Sequence, residues 1–147
     1  FLIVAASLYS RMLALTGMPA AITTGITDMG LGPWGFLVAY LLIVLLLGCI
    51  IDSVSIMLIM LPIVLPIASA FGMDLIWFGV LTVVAVEIGL LTPPFGVSVY
   101  TVKSALNNPS ITIKDIFAGT FPFVLVMVLS LFILAIFPGL STWLARM

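Results

Sequence analysis

Apolar residues run through this chain almost without pause, and the polar positions that interrupt them fall in clusters. From Phe36 to Ile51 only Tyr40 and Gly48 depart from strongly apolar character. Ser53 to Phe71 is apolar again, and Leu75 to Leu91 is a third such run. Runs of this length without two-residue alternation predict helices. A strand reading would need dyad alternation over segments of about ten residues, as in membrane barrels. A helix crosses a hydrocarbon core of about 30 Å in roughly 20 residues.

The interruptions divide the chain. Residues 1–24 are apolar around Arg11, which is placed to snorkel to an interface or to pair inside a bundle. Gly17, Pro19 and Thr23-Thr24-Gly25 weaken that run as a clean span. Thr27 to Gly35 is rich in turn residues and predicts a loop with an interfacial Trp34. Between Ile51 and Val54 the only polar residues are Asp52 and Ser53, with Ser55 just beyond. Three geometries fit residues 36–71: one long tilted helix, two crossings with a tight turn, or a re-entrant hairpin whose tip stays at depth. The hairpin is preferred, because no watery loop separates its arms and because Asp52, Ser53 and Ser55 suit an enclosed polar tip. Gly72-Met73-Asp74 forms its exit turn. Residues 75–106 read as one helix broken at Thr92-Pro93-Pro94 and closed by Asn107-Asn108-Pro109. Ser110 to Gly119 reads as a short interfacial helix or connecting arm. Residues 120–144 read as the last span, with Pro122 and Pro138 near its bounds. The first residue already lies in an apolar run and Arg11 interrupts it, so a piece of a longer membrane protein is expected rather than a signal peptide. Trp143, Arg146 and Met147 read as an interfacial anchor and terminus.

Composition agrees. Of 147 residues, 65% are hydrophobic and 6% charged, where soluble domains carry about a quarter charged residues. The expected class is an all-α integral membrane protein. A net charge of −1 gives no footprint for nucleic acid. With no histidine and Cys49 as the single cysteine, a disulfide framework is excluded, and imidazole or thiolate metal sites nearly so. Cys49 reads as packing. Trp34, Trp77 and Trp143 read as interfacial belt residues.

Broken helices carry the candidate chemistry, because free backbone groups survive in a membrane only when buried in protein or lining a wet cavity. Each proline lacks an N–H, so Pro93 leaves the Gly89 carbonyl without its helical donor and Pro94 leaves that of Leu90. Thr92 adds a hydroxyl oxygen. Such oxygens suit a small hard cation; a plain proline kink is the equal alternative. Asp52 is costly within an apolar run and therefore a functional candidate, against a turn in water. Ser53 and Ser55 either flank that tip or bond back to their own helix. Pro62 and Pro66, one turn apart, either curve or kink the second arm. Glu87 is placed to pair with Arg11 or Lys103, or to respond to an ion.

Residues 48–66, then Phe71-Gly72-Met73-Asp74-Leu75-Ile76-Trp77-Phe78-Gly79-Val80, then Glu87-Ile88-Gly89-Leu90-Leu91-Thr92-Pro93-Pro94-Phe95-Gly96 together resemble the large membrane subunit of TRAP transporters. The resemblance covers nearly the whole chain and corresponds to the C-terminal part of that subunit, its second inverted repeat. It implies an elevator-type secondary transporter of the bacterial or archaeal inner membrane, taking up organic acids such as dicarboxylates with a sodium gradient. A periplasmic binding protein delivers the acid, a small membrane subunit supports the large one, and no cofactor besides the coupling sodium is implied. By position, Asp52, Ser53, Ser55, Gly89, Thr92 and Pro93 would serve the ion; Ser53, Thr92, Pro94, Gly96 and Ser98 would serve the substrate. Many relatives carry Asn where this chain has Ser98. The rivals are an ion-coupled carrier of the wider superfamily that uses no binding protein, and an intramembrane aspartyl protease using Asp52 and Asp74. Neither aspartate has the Gly-x-Gly-Asp setting the protease would need.

Overall fold

The computed structural model describes residues 2–106, 108 and 110–143, and it is helical throughout that range. Eight helices follow one another: α1 Leu2–Leu15, α2 Met18–Asp28, α3 Pro33–Gly48, α4 Ser53–Ala70, α5 Leu75–Leu91, α6 Val97–Leu106, α7 Ile113–Ile136 and α8 Pro138–Thr142. Asn107, Pro109, Arg146 and Met147, named above, lie outside the described residues.

Each main junction has a local cause. Gly17 ends α1 in the left-handed region (φ 70°) and Pro19 opens α2. The loop expected over residues 27–35 is shorter, because α2 continues to Asp28 and Pro33 already starts α3. The axes of α2 and α3 differ by 110°. Asp52 caps α4 and Asp74 caps α5, each carboxylate accepting from N–H groups of the first turn. Gly72 (φ 70°) turns the chain between them. Pro62 and Pro66 both lie inside α4, which continues past them.

The end of the chain differs from expectation. No separate arm spans residues 110–119, because Thr112 and Asp115 form a reciprocal capping box that starts α7 at Ile113. Pro122 lies within that helix, and α7 stops at Ile136, where Pro138 opens α8.

The core lies where α3, α4 and α5 meet. Phe36, Leu37, Tyr40, Val44, Ile56, Val64, Ile67, Ala68, Trp77, Phe78, Leu81, Ala85 and Val86 are buried there. Phe36 at the start of α3 meets Phe71 at the end of α4, with ring centroids 5.5 Å apart. The two arms therefore come together at their base, with residues 49–52 as the tip. The chain runs up α3, down α4 and up α5. On the outer side α7 runs opposite to α5: Phe117 in its second turn stands beside Gly96, and the Trp77 indole N–H donates to the Leu134 carbonyl at 2.7 Å. Trp77 is thus a buried tie between helices rather than a belt residue. It meets the exposed Trp34 edge-on at 6.1 Å.

By length and hydropathy α4 and α7 can each cross a membrane, and the bent pair α2–α3 together passes the same test. No residue of α7 is buried in this chain, so its apolar surface meets lipid or other protein.

Candidate functional site

The site follows from a parallel pairing of α3 with α5. Phe36 stacks on Phe78 at 6.3 Å with the rings 4° apart. Tyr40 stacks on Phe78 at 4.7 Å, and its hydroxyl lies 3.0 Å from that of Thr82, 42 residues away. Further along, a Cβ built on Gly48 would stand 2.9 Å from the Val86 carbonyl oxygen and 3.0 Å from the Gly89 Cα. At the far end the Cys49 sulfur lies 3.4 Å from the Leu45 carbonyl oxygen of its own helix and 3.7 Å from the Pro93 carbonyl oxygen, 44 residues away. The near-constant separation brings the tip after α3 and the break after α5 to the same level. Helices approach this closely only where both contact residues lack a side chain.

The tip is a capped helix start. The Asp52 carboxylate accepts from the Ser55 backbone N–H at 3.0 Å and from the Ser55 hydroxyl at 2.7 Å. Asp52 is exposed rather than enclosed, because both of its contacts are with the turn it caps. Ser53 and Ser55 are half-buried. Ser55 is engaged with Asp52, while the Ser53 hydroxyl has no partner among the described residues. Cys49 is buried, as its apolar setting suggests.

The break keeps fewer bare carbonyls than the two prolines alone would leave. The Thr92 N–H donates to the Gly89 carbonyl at 3.0 Å, so that oxygen has a donor despite Pro93. The Thr92 hydroxyl donates to the Ile88 carbonyl at 2.5 Å, which leaves its own lone pairs free. Pro94 has no N–H for the Leu90 carbonyl, and the Leu90 and Leu91 carbonyls receive no loop hydrogen bond among the described residues. Thr92 is half-buried, Pro93 and Pro94 are exposed, and the bond between the prolines is cis. Gly96 adopts φ 53°, and a Cβ there would meet the Phe117 ring at 2.9 Å. Ser98 is half-buried in the first turn of α6.

The oxygens offered at this junction are the Thr92 hydroxyl and main-chain carbonyls at a helix C-terminus, which carries partial negative charge, with the Ser53 hydroxyl at the start of α4 just beyond the tip. That chemistry fits a hard monovalent cation held without full carboxylate charge. No group of three His, Cys, Asp or Glu residues is gathered for a metal among the described residues.

Other candidates separate from the site. Lys103 donates to the carbonyls of Asn108 and Ile111 instead of pairing with Glu87. Glu87 is exposed on α5. Arg11 lies on α1 and lines a groove against Met57, Leu61, Pro62 and Leu65 of α4. Asp52 and Asp74 cap opposite ends: α4 lies between them, about 27 Å of helix. They do not form a protease dyad. Gly89 was expected at the site through its carbonyl, but its contact with Gly48 and the pair Tyr40–Thr82 were not anticipated. The only signal for them is that two apolar runs of similar length flank a third.

Residues 1–140 match the family described as tripartite ATP-independent periplasmic transporter, DctM component. The chain is 32% identical over 142 residues to the C4-dicarboxylate TRAP transporter large permease protein of Pseudomonas aeruginosa, covering 96% of this chain and 32% of that protein. It is 34% identical over 144 residues to the corresponding protein of Vibrio cholerae, covering 98% of this chain and 31% of that one. It is 29% identical over 136 residues to the ectoine TRAP transporter large permease protein of Halomonas elongata, covering 92% and 31%. The chain spans about a third of the length of these relatives.

Proposed function

The chain belongs to the DctM component family of tripartite ATP-independent periplasmic transporters, and from that premise we propose that it forms the C-terminal part, the second inverted repeat, of a sodium-coupled organic-acid permease. The observation that carries the reading is the contact of two helix interruptions. The end of α3 meets the end of α5 through Gly48–Gly89, and just beyond it the tip touches the break through Cys49–Pro93. In this reading sodium binds among the Thr92 hydroxyl, the Ser53 hydroxyl and the carbonyls of the break. A substrate carboxylate binds beside the bound cation. Pro94, Gly96 and Ser98 line the substrate side.

The break lies partway along a longer helical path. Continuing from α5 to α6 adds ten helical residues after the break, about 15 Å. The broken helix therefore has length for a full crossing, while α3 by itself reaches only the level of the break.

Named relatives point to the substrate class, since two carry C4-dicarboxylate in their names while another carries ectoine. A small carboxylate is the shared chemistry. The whole transporter would sit in an inner membrane with several crossings, fed by a periplasmic binding protein and supported by a small membrane subunit. It would carry its cargo by an elevator movement and catalyse no covalent step.

The test is uptake into proteoliposomes holding the complete permease that carries this sequence, with its small subunit and binding protein. C4-dicarboxylate uptake should require both a sodium gradient and the binding protein. Thr92→Ala should raise half-saturating sodium about tenfold, as loss of one oxygen ligand implies, while Thr92→Ser stays near wild type. Uptake indifferent to sodium, or unchanged by Thr92→Ala, overturns the reading.

A further inference from the structure

We propose that Tyr40 and Thr82 are positioning residues for the ion site: their hydrogen bond sets the axial register of α3 against α5, and through it the distance between tip and break. The inference rests on the ion-site reading above, but its structural basis is separate. Thr82 donates its hydroxyl proton to the Phe78 carbonyl at 2.8 Å. Its oxygen is therefore the acceptor in the 3.0 Å contact, and Tyr40 is the donor. Thr82 is fully buried and Tyr40 nearly so. This is the one side-chain hydrogen bond joining α3 to α5 among the described residues. The rest of their contact is aromatic stacking and aliphatic packing, both of which tolerate sliding by a fraction of a turn.

The pair lies eight residues before Gly48 on one helix and seven before Gly89 on the other, about 10 to 12 Å from the site. A shift of register at Tyr40 is carried along the two helices to the tip. The glycine contact there leaves no slack in one direction, since Gly89 already abuts the backbone of Leu45 and Gly48. Loss of the pin must therefore be relieved by the tip drawing away from the break. In the ion-site reading that opens the site, and it uncovers the Cys49 thiol, which at 2% exposure is sealed beside the Pro93 carbonyl.

Tyr40→Phe removes only the hydroxyl and leaves Thr82 still bonded to Phe78. Thr82→Val leaves the Tyr40 hydroxyl buried without an acceptor, a larger disturbance. Thr82→Ser keeps the acceptor. The experiment uses the complete permease with its partners, in a background where Cys49 is the only cysteine. Two quantities are read: half-saturating sodium for uptake, and the rate of Cys49 alkylation by a small maleimide in sodium-free buffer.

Tyr40→Phe should raise half-saturating sodium about fivefold, the ratio one buried hydrogen bond supports, with maximal uptake within about twofold of wild type. Cys49 should alkylate faster by a similar factor. Thr82→Val should exceed both effects, and Thr82→Ser should restore them. Adding Tyr40→Phe to Thr82→Val should cost nothing more. If Tyr40→Phe lowers thermal stability or maximal uptake while sodium half-saturation and Cys49 labelling stay at wild-type values, the pair is only packing and the proposal falls. If wild-type uptake ignores sodium, the ion-site reading falls instead. The labelling rates still decide the pin, which is overturned by equal rates in Tyr40→Phe and wild type.

Discussion

Gly48 and Gly89 meet backbone to backbone: a Cβ added to Gly89 would lie 2.7 Å from the Gly48 Cα and 2.6 Å from the Leu45 carbonyl oxygen. Neither neighbour is a flexible side chain, so any side chain at position 89 must push the tip of α3 bodily from the break. Gly89→Ala is expected to destabilise the permease by about 1–3 kcal/mol, the usual cost of overpacking, and to reduce the proposed sodium-driven uptake by at least tenfold. Gly79→Ala on the same helix meets nothing within 4 Å. It should be neutral or stabilising by up to about 1 kcal/mol, since alanine favours the helix. Thermal unfolding in detergent, read beside uptake, checks both. Equal behaviour of the two variants would refute the close contact.

Asp52 offers a sharper division between charge and cap. Its carboxylate is already engaged by the first turn of α4 through Ser55. If its role is to order the tip, an amide oxygen serves nearly as well. Asp52→Asn should keep uptake within about threefold, whereas Asp52→Ala should lose about 1 kcal/mol of helix-start stability and most of the uptake. The comparison is made on sodium activation curves. A collapse with Asn equal to that with Ala would assign the negative charge itself to the ion.

Trp77 ties α5 to α7 through its indole N–H and the Leu134 carbonyl. Trp77→Phe keeps an aromatic ring but leaves that carbonyl without its indole donor. A loss of about 1–2 kcal/mol is expected, together with faster hydrogen exchange near residue 134. Trp34 and Trp143 are exposed, so Trp34→Phe should leave stability within about 0.5 kcal/mol. Mass-resolved hydrogen exchange in nanodiscs separates the two.

The helix ends were largely legible in the sequence, and the contacts between helices were not. The start of α3 at Pro33 was hidden in a stretch of turn residues, whereas Asp52 and Asp74 each stand at the edge of an apolar run, and a cap acts on its own turn. The break at Thr92-Pro93-Pro94 was legible for the same reason. The fate of the Gly89 carbonyl was not, because it depends on Thr92 closing a tighter turn. The arm expected over residues 110–119 disappears because Thr112 and Asp115 cap α7 earlier than the apolar run alone suggested. Trp77 looked like a belt residue because its partner lies 57 residues away. The parallel register of α3 and α5 is likewise tertiary. Glycine at 48 and at 89 only acquires meaning once the two are seen to touch.

Gly96 tests how much of the break is substrate site and how much is architecture. Its φ of 53° lies in the left-handed region, and a Cβ there would meet the Phe117 ring at 2.9 Å and 3.0 Å. Both reasons for glycine are local to the fold and neither requires a ligand. Gly96→Ala should cost about 1–2 kcal/mol from the backbone conformation, with a further penalty as Phe117 is displaced. Shortening that neighbour removes the second penalty, so Gly96→Ala combined with Phe117→Leu should be more stable than the sum of the two single changes predicts. Binding and stability then part company. If substrate approaches the Gly96 backbone, the double variant recovers its melting temperature while half-saturating substrate stays raised. If Gly96 serves the turn alone, stability and substrate affinity recover together, and Gly96 leaves the set of substrate residues.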